Sequence, residues 1–154
     1  MNVYTAIVER VKRLAGRAIR FKPTRSWRVL VVDDDPLMLQ YVSTILSDAG
    51  FTTAKAIDGS DALNKIQQDG PFDLLLTDVM MPRMNGAELA RRVRHSWPML
   101  PVLYVTGFSD KLFAEKPVLW EDEAFIEKPC APNILVEAVN SLLNGRVRHK
   151  VVWG

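Results

Sequence analysis

Three observations predict a doubly wound α/β domain with a five-stranded parallel sheet. The length of 154 residues fits one domain. Five strand-length apolar runs are separated by amphipathic stretches, and isolated polar residues stand where those runs stop. With 48% hydrophobic and 25% charged residues, the chain can bury a full core, which excludes a disordered polymer. Its single cysteine, Cys130, excludes an internal disulfide framework. No apolar run approaches the roughly 20 residues of a membrane-spanning helix. A soluble, cytoplasmic protein is expected.

Taken in order, the strand candidates are RVLVV at 28–32, FTTAKA at 51–56, FDLLLT at 72–77, PVLYVT at 101–106 and AFIE at 124–127. Their length and their Val, Leu, Ile and Phe content suit strands buried on both faces. Between them, residues 36–49 place Leu39, Val42, Ile45 and Leu46 at helical spacing, and 59–69 do so with Ala62, Leu63 and Ile66. The same holds for Leu89, Ala90 and Val93 in 86–97, and for Leu135, Ala138, Val139 and Leu142 in 131–144. The stretch FSDKLFAEKPVLWEDE carries Pro117 in its middle, and proline inside a helix costs about 3 kcal/mol. The fourth helix is therefore expected to be short, displaced or partly irregular. Strand–helix alternation of this kind requires right-handed crossovers and helices on both faces of the sheet.

Charge divides the chain. Residues 1–27 hold seven Lys/Arg against one acid, residues 28–145 hold ten against seventeen, and 146–154 hold three against none. An acidic body between two basic ends can contact anionic surfaces or acidic partners. The predicted organisation is a basic amphipathic helix and linker over 1–26, a domain over 27–145 and a short basic tail over 146–154. In the arm, Val3, Ile7, Val11, Leu14 and Ala18 form a stripe, with Arg10, Arg13, Arg17 and Arg20 largely elsewhere. Packing on the domain or on a second copy, membrane-surface contact through residues 1–21 and docking of a partner are all open to such a helix.

In a doubly wound sheet the ligand site lies outside the carboxyl ends of the strands. There the sequence places Asp33-Asp34-Asp35, Asp78, Thr106 and Lys128. Asp35, followed by Pro36, reads as a helix N-cap, which needs only one carboxylate. If the first and third strands are neighbours, Asp33, Asp34 and Asp78 crowd together and must protonate, separate or bind a cation. Oxygen donors suit Mg²⁺, and the absence of histidine and thiolate from the group argues against zinc. Lys128 adds a positive charge on the far side, and the Thr106 hydroxyl can donate to an oxygen bound at Asp78. A carboxylate nucleophile, a metal, a cation and a donor together suit phosphoryl transfer.

The segments LVVDDDP, LLLTDVMMPRMNG, VLYVTG and FIEKP, in this order and spacing, resemble the receiver domain of two-component response regulators across about residues 28–145. That resemblance implies a flavodoxin-like strand order, 2-1-3-4-5. It implies Asp78 as phosphoacceptor, Asp34 as a direct Mg²⁺ ligand, Asp33 as a ligand through water, and Met80 as a ligand through its backbone carbonyl. Thr106 and Lys128 would hold the phosphoryl group, Thr106 and Phe125 would occupy the switch positions, and Lys128-Pro129 would be a cis peptide. The implied partner is a histidine kinase or a histidine phosphotransfer protein.

Departures from the pattern are informative. Gly107 stands where receivers very often have alanine, and the T-G-F pattern with the irregular fourth helix resembles receivers fused to hybrid histidine kinases. Met80 and Phe108, two residues beyond Asp78 and Thr106, cannot orient an attacking water by hydrogen bonding, so slow self-dephosphorylation is expected. Met81-Pro82 and Asn85-Gly86 bracket a turn in which Gly86 is expected to supply a backbone conformation that other residues resist. The tail GRVRHKVVWG is too short for a helix-turn-helix, so the expectation is a single-domain regulator without a DNA-binding output domain, acting through protein contacts. Two other functions compete. One is a pseudo-receiver that only binds partners; the other is a haloacid-dehalogenase-like phosphatase using Asp33 and Asp35, against which Leu37 stands where that motif usually has threonine or valine.

Overall fold

A computed structural model describes residues 26–120 and 122–144. The basic helix expected over 1–26, Ser26 apart, and the tail over 146–154 lie outside the described residues. Strands β1 (Arg28–Val32), β2 (Thr52–Ala56), β3 (Leu74–Thr77), β4 (Val102–Thr106) and β5 (Glu123–Glu127) alternate with helices α1 (Pro36–Asp48), α2 (Gly59–Asp69), α3 (Gly86–Ser96), α4 (Ser109–Glu115) and α5 (Pro132–Leu143). All strand pairs are parallel and the order is β2-β1-β3-β4-β5. This is the flavodoxin-like order that the receiver resemblance implies, on the doubly wound parallel sheet that the sequence pattern predicts.

Alternation along the strands divides the core in two. Val29, Val31, Leu74, Leu76, Leu103, Val105, Ala124 and Ile126 pack beneath α1 and α5. Leu30, Val32, Leu75, Val102, Tyr104 and Phe125 pack beneath α2, α3 and α4. The predicted helical stripes supply both layers: Leu39, Val42 and Leu46 of α1, for example, are buried. Chain geometry sets the helix ends as well. Asp35 caps α1 by accepting the Leu37 N–H at 2.9 Å. Beyond the other end of α1, Gly50 has φ +96°, a left-handed conformation that glycine takes without strain.

The fourth helix is short, as Pro117 requires. It spans seven residues and closes with the Lys116 N–H donating to the Leu112 carbonyl at 2.8 Å. What replaces the missing turns is a charged network that sequence patterning does not reveal. The buried Glu123 carboxylate receives the Lys116 ammonium at 3.0 Å and the Trp120 N–H at 3.0 Å, with Arg94 at 3.8 Å and the Tyr104 hydroxyl at 3.4 Å. Arg94, buried at the end of α3, also donates to the Leu100 carbonyl at 2.8 Å and pairs with Asp122 at 2.7 Å. The Trp120 ring lies under both cations, 5.0 Å from the Arg94 guanidinium and 4.2 Å from the Lys116 ammonium. Burial and the Glu123 charge push the Tyr104 phenol well above its ordinary pKa, so it stays a donor.

Candidate functional site

Four strands bring polar residues to one edge of the sheet. Asp33 follows β1, Asp78 follows β3, Thr106 ends β4 and Lys128 follows β5. Val32 pairs with Thr77, so Asp33 and Asp78 stand side by side one residue further along neighbouring strands. The ladder continues into the site, because the Asp78 N–H donates to the Val32 carbonyl at 3.0 Å. Carboxylate oxygens of Asp33, Asp34 and Asp78 all lie within 4.8 Å of one another, with Asp33 and Asp78 buried and Asp34 exposed.

Such crowding of like charges needs a counter-charge, and part of it comes from within the chain. The Lys128 ammonium donates to Asp33 Oδ2 at 2.8 Å and to Asp78 Oδ2 at 3.1 Å. Lys128 is therefore not on the far side of the acids, as the sequence suggests, but bridges two of them. Burial pushes the Asp33 carboxyl above its ordinary value, against the Lys128 bond and the Asp35 N–H that favour its charged form. For Lys128, burial acts downward, but its bond to Asp33 and the charge of Asp78 outweigh it, and its pKa lies above the ordinary value. The Lys128–Pro129 peptide is cis.

Both Asp33 oxygens are engaged, Oδ2 by Lys128 and Oδ1 by the Asp35 N–H at 2.9 Å. Asp78 Oδ1 accepts the Val79 N–H at 2.7 Å. Asp35, spent as the cap of α1, is not one of the three clustered carboxylates. The buried Thr106 hydroxyl accepts the Phe108 N–H at 3.0 Å, which leaves its own proton to donate, and the Lys128 N–H is held by the Thr106 carbonyl at 2.9 Å. Phe125 is a core residue in this arrangement, edge-on to Phe113 with ring centroids 5.1 Å apart. Met80 and Phe108 are both half exposed.

The loop after Asp78 is fixed on three sides. A Cβ on Gly86 would meet the Asp78 carbonyl oxygen at 2.0 Å, so only glycine fits there. This corrects the sequence-based reason: Gly86 is not among the positive-φ glycines, and the constraint is the close approach of the Asp78 backbone. On one flank Arg83, at φ +66°, pairs with Asp58 at 3.0 Å. On the other, Asn85 caps α3 by accepting the Glu88 N–H at 2.9 Å and donates to both Glu115 oxygens of α4 at 2.7 and 2.8 Å. The sequence marks Asn85-Gly86 as part of a turn and not as a cap, and the two cross-loop ties carry no local sequence signal.

Comparison with known proteins decides the family. The sequence profile of the response regulator receiver domain matches residues 29–140. The chain belongs to this receiver family. Among curated relatives, the receiver is 33% identical over 116 residues to the response regulator receiver protein CpdR of Brucella abortus, covering 75% of this chain and 96% of that protein. It is 34% identical over 120 residues to the DNA-binding response regulator MtrA of Mycolicibacterium smegmatis, covering 78% of this chain but 52% of the relative. Among solved structures, a response regulator receiver protein from Sinorhizobium medicae superposes with a TM-score of 0.71 at 28% identity, over 80% of this chain and 99% of that one. The receiver domain of the hybrid histidine kinase CckA superposes with a TM-score of 0.64 at 27% identity, over 75% of this chain and 98% of that one. No helix among the described residues is long and apolar enough to cross a membrane.

Proposed function

We propose that this receiver takes a phosphoryl group from a phosphohistidine onto Asp78, with Mg²⁺, and signals through protein–protein contact in the cytoplasm. The observation that carries this reading is the bridged cluster: three converging carboxylates, two of them held by one ammonium, with a threonine hydroxyl at the next strand end. The donor set fits a hard divalent cation, being all oxygen and including the exposed Asp34. Asp34 and Asp78 would hold the ion directly and Met80 through its backbone carbonyl. Asp33, both of whose oxygens are already engaged, would act through water. Bound there, Mg²⁺ supplies charge neutralisation for the phosphoryl oxygens.

The chain's own residues account for the rest. An Asp78 oxygen attacks phosphorus as the P–N bond to the donor imidazole breaks, and the bond's electron pair leaves with the imidazole, which takes up a proton. Lys128, released from Asp78, follows the charge onto a phosphoryl oxygen, and Thr106 donates its free hydroxyl proton to another. The donor is a histidine kinase or a histidine phosphotransfer protein, and the product is an aspartyl phosphate.

Intact-protein mass spectrometry after incubation with acetyl phosphate tests the reading. A single phosphoryl adduct that requires Mg²⁺ and is absent from Asp78→Asn is expected. An unmodified wild type under both acetyl phosphate and a phosphohistidine donor would instead favour a binding module that needs no phosphorylation.

A further inference from the structure

We infer that Asn85 is a positioning residue that couples the acceptor Asp78 to α4; the inference rests on the phosphoacceptor reading above. One side chain performs two tasks. Its Oδ1 accepts the Glu88 N–H at 2.9 Å and starts α3, and its Nδ2 donates to both Glu115 oxygens at 2.7 and 2.8 Å. The next residue, Gly86, is wedged beneath the Asp78 carbonyl and donates its N–H to the Val79 carbonyl at 2.9 Å. The acceptor's backbone, the start of α3 and the end of α4 are therefore joined through two consecutive residues.

The far end of that tie matters for the chemistry. Between Thr106 at the end of β4 and Glu115, the last residue of α4, lie only Gly107, Phe108 and the first six residues of the helix. Within that loop the Thr106 hydroxyl is engaged by the Phe108 N–H. Holding Glu115 in place thus holds the segment in the arrangement where Thr106 is bonded within its own loop. The hydroxyl proton is free, but phosphoryl transfer asks it to reach an oxygen at Asp78 while the Phe108 N–H pins the hydroxyl oxygen within the loop. The Asn85–Glu115 bond stabilises the resting arrangement, and its release should make Asp78 easier to phosphorylate. Asn85 touches no reacting atom, so its influence runs through the loop.

The two tasks can be separated. Asn85→Asp keeps the cap, since aspartate caps helices as well as asparagine does, but replaces the donor with a carboxylate facing Glu115. Glu115→Ala removes the same tie from the other side without touching α3. Phosphorylation by acetyl phosphate and Mg²⁺, followed by mass spectrometry, should be about three- to tenfold faster in both variants, the range of an ordinary net hydrogen bond, to which solvent screening reduces this exposed one. Amide exchange over residues 109–116 should quicken in parallel. Asn85→Asp combined with Glu115→Lys restores an opposite-charge tie and should return both readouts to within about twofold of wild type. Adduct formation at wild-type rates in both single variants, or fast variants that the pair does not rescue, would overturn the coupling while leaving the acceptor assignment intact. No adduct on wild type would overturn that assignment and the coupling with it.

Discussion

Lys128 is the residue whose placement most changes the chemistry of the site, because its ammonium bridges two buried carboxylates that would otherwise repel. Met80 and Phe108, two residues past Asp78 and Thr106, would bear on how long a phosphoryl group lasts on the proposed acceptor. Neither side chain can orient an attacking water, so Met80→Asn or Phe108→Asn should shorten the adduct's lifetime by on the order of tenfold. Mass spectrometric decay curves after removal of the donor provide the check, and unchanged half-lives would dismiss the explanation. Gly86→Ala forces a methyl group onto the Asp78 carbonyl. A loss of about 1–3 kcal/mol in urea unfolding is expected, the range for overpacking a tight site. Asp58 offers a pH test. The Asp61 N–H does most to hold its carboxyl below the ordinary value; burial comes next and opposes it, and the Arg83 guanidinium adds to the lowering. A carboxyl depressed on folding stabilises the native state fully above its unfolded pKa of about 4, and loses that contribution as pH falls through the folded value. Melting curves of wild type and Asp58→Asn, which retains a capping oxygen, should therefore converge as pH drops from 5 towards 2. A constant gap would show that the charge contributes nothing.

Among the elements, α4 and the segment leading to β5 are the least regular and the most dependent on charge. Seven residues cannot hold a helix by propensity alone. Leu112 anchors it in the core, and the Glu123 carboxylate fixes the following chain through Lys116 and the Trp120 N–H. Breaking a buried pair by removing one partner strands the other, at about 3–5 kcal/mol. Glu123→Ala should lose stability in that range in urea titrations, whereas Glu123→Gln, which retains an acceptor, should lose less. Equal stability of all three proteins would mean that the cations find water as readily as they find Glu123. The same network explains why Arg94, a charged residue on an otherwise amphipathic helix, is buried.

For the whole molecule, the strand order turns separate sequence motifs into one site. Metal binding and folding should therefore be linked. A cation that binds only the native arrangement stabilises it by about 2.7 kcal/mol at a concentration a hundredfold above Kd. That corresponds to several degrees in Tm for a domain of this size. Calorimetry with Mg²⁺ and with a chelator should reveal the difference, and Asp34→Asn should remove most of it. A Tm indifferent to Mg²⁺ would count directly against the oxygen-donor reading of the cluster.

Local sequence determined the alternation of buried strands and striped helices, the capping by Asp35, the shortness of the helix before Pro117 and the identity of the polar residues at the strand ends. Each is decided over a few residues by periodicity, capping or a missing N–H, so each is visible before the chain folds. Receiver membership was legible too, because four motifs in register specify more than any one does. Tertiary structure decided that Asp33 and Asp78 are adjacent, that Lys128 lies between them, that Gly86 is required by a neighbouring carbonyl, and that Arg94 and Glu123 meet in the interior. Asn85 and Glu115 are thirty positions apart. No local propensity relates such residues, and only the packing of parallel strands, which sets which ends converge, brings them within a hydrogen bond.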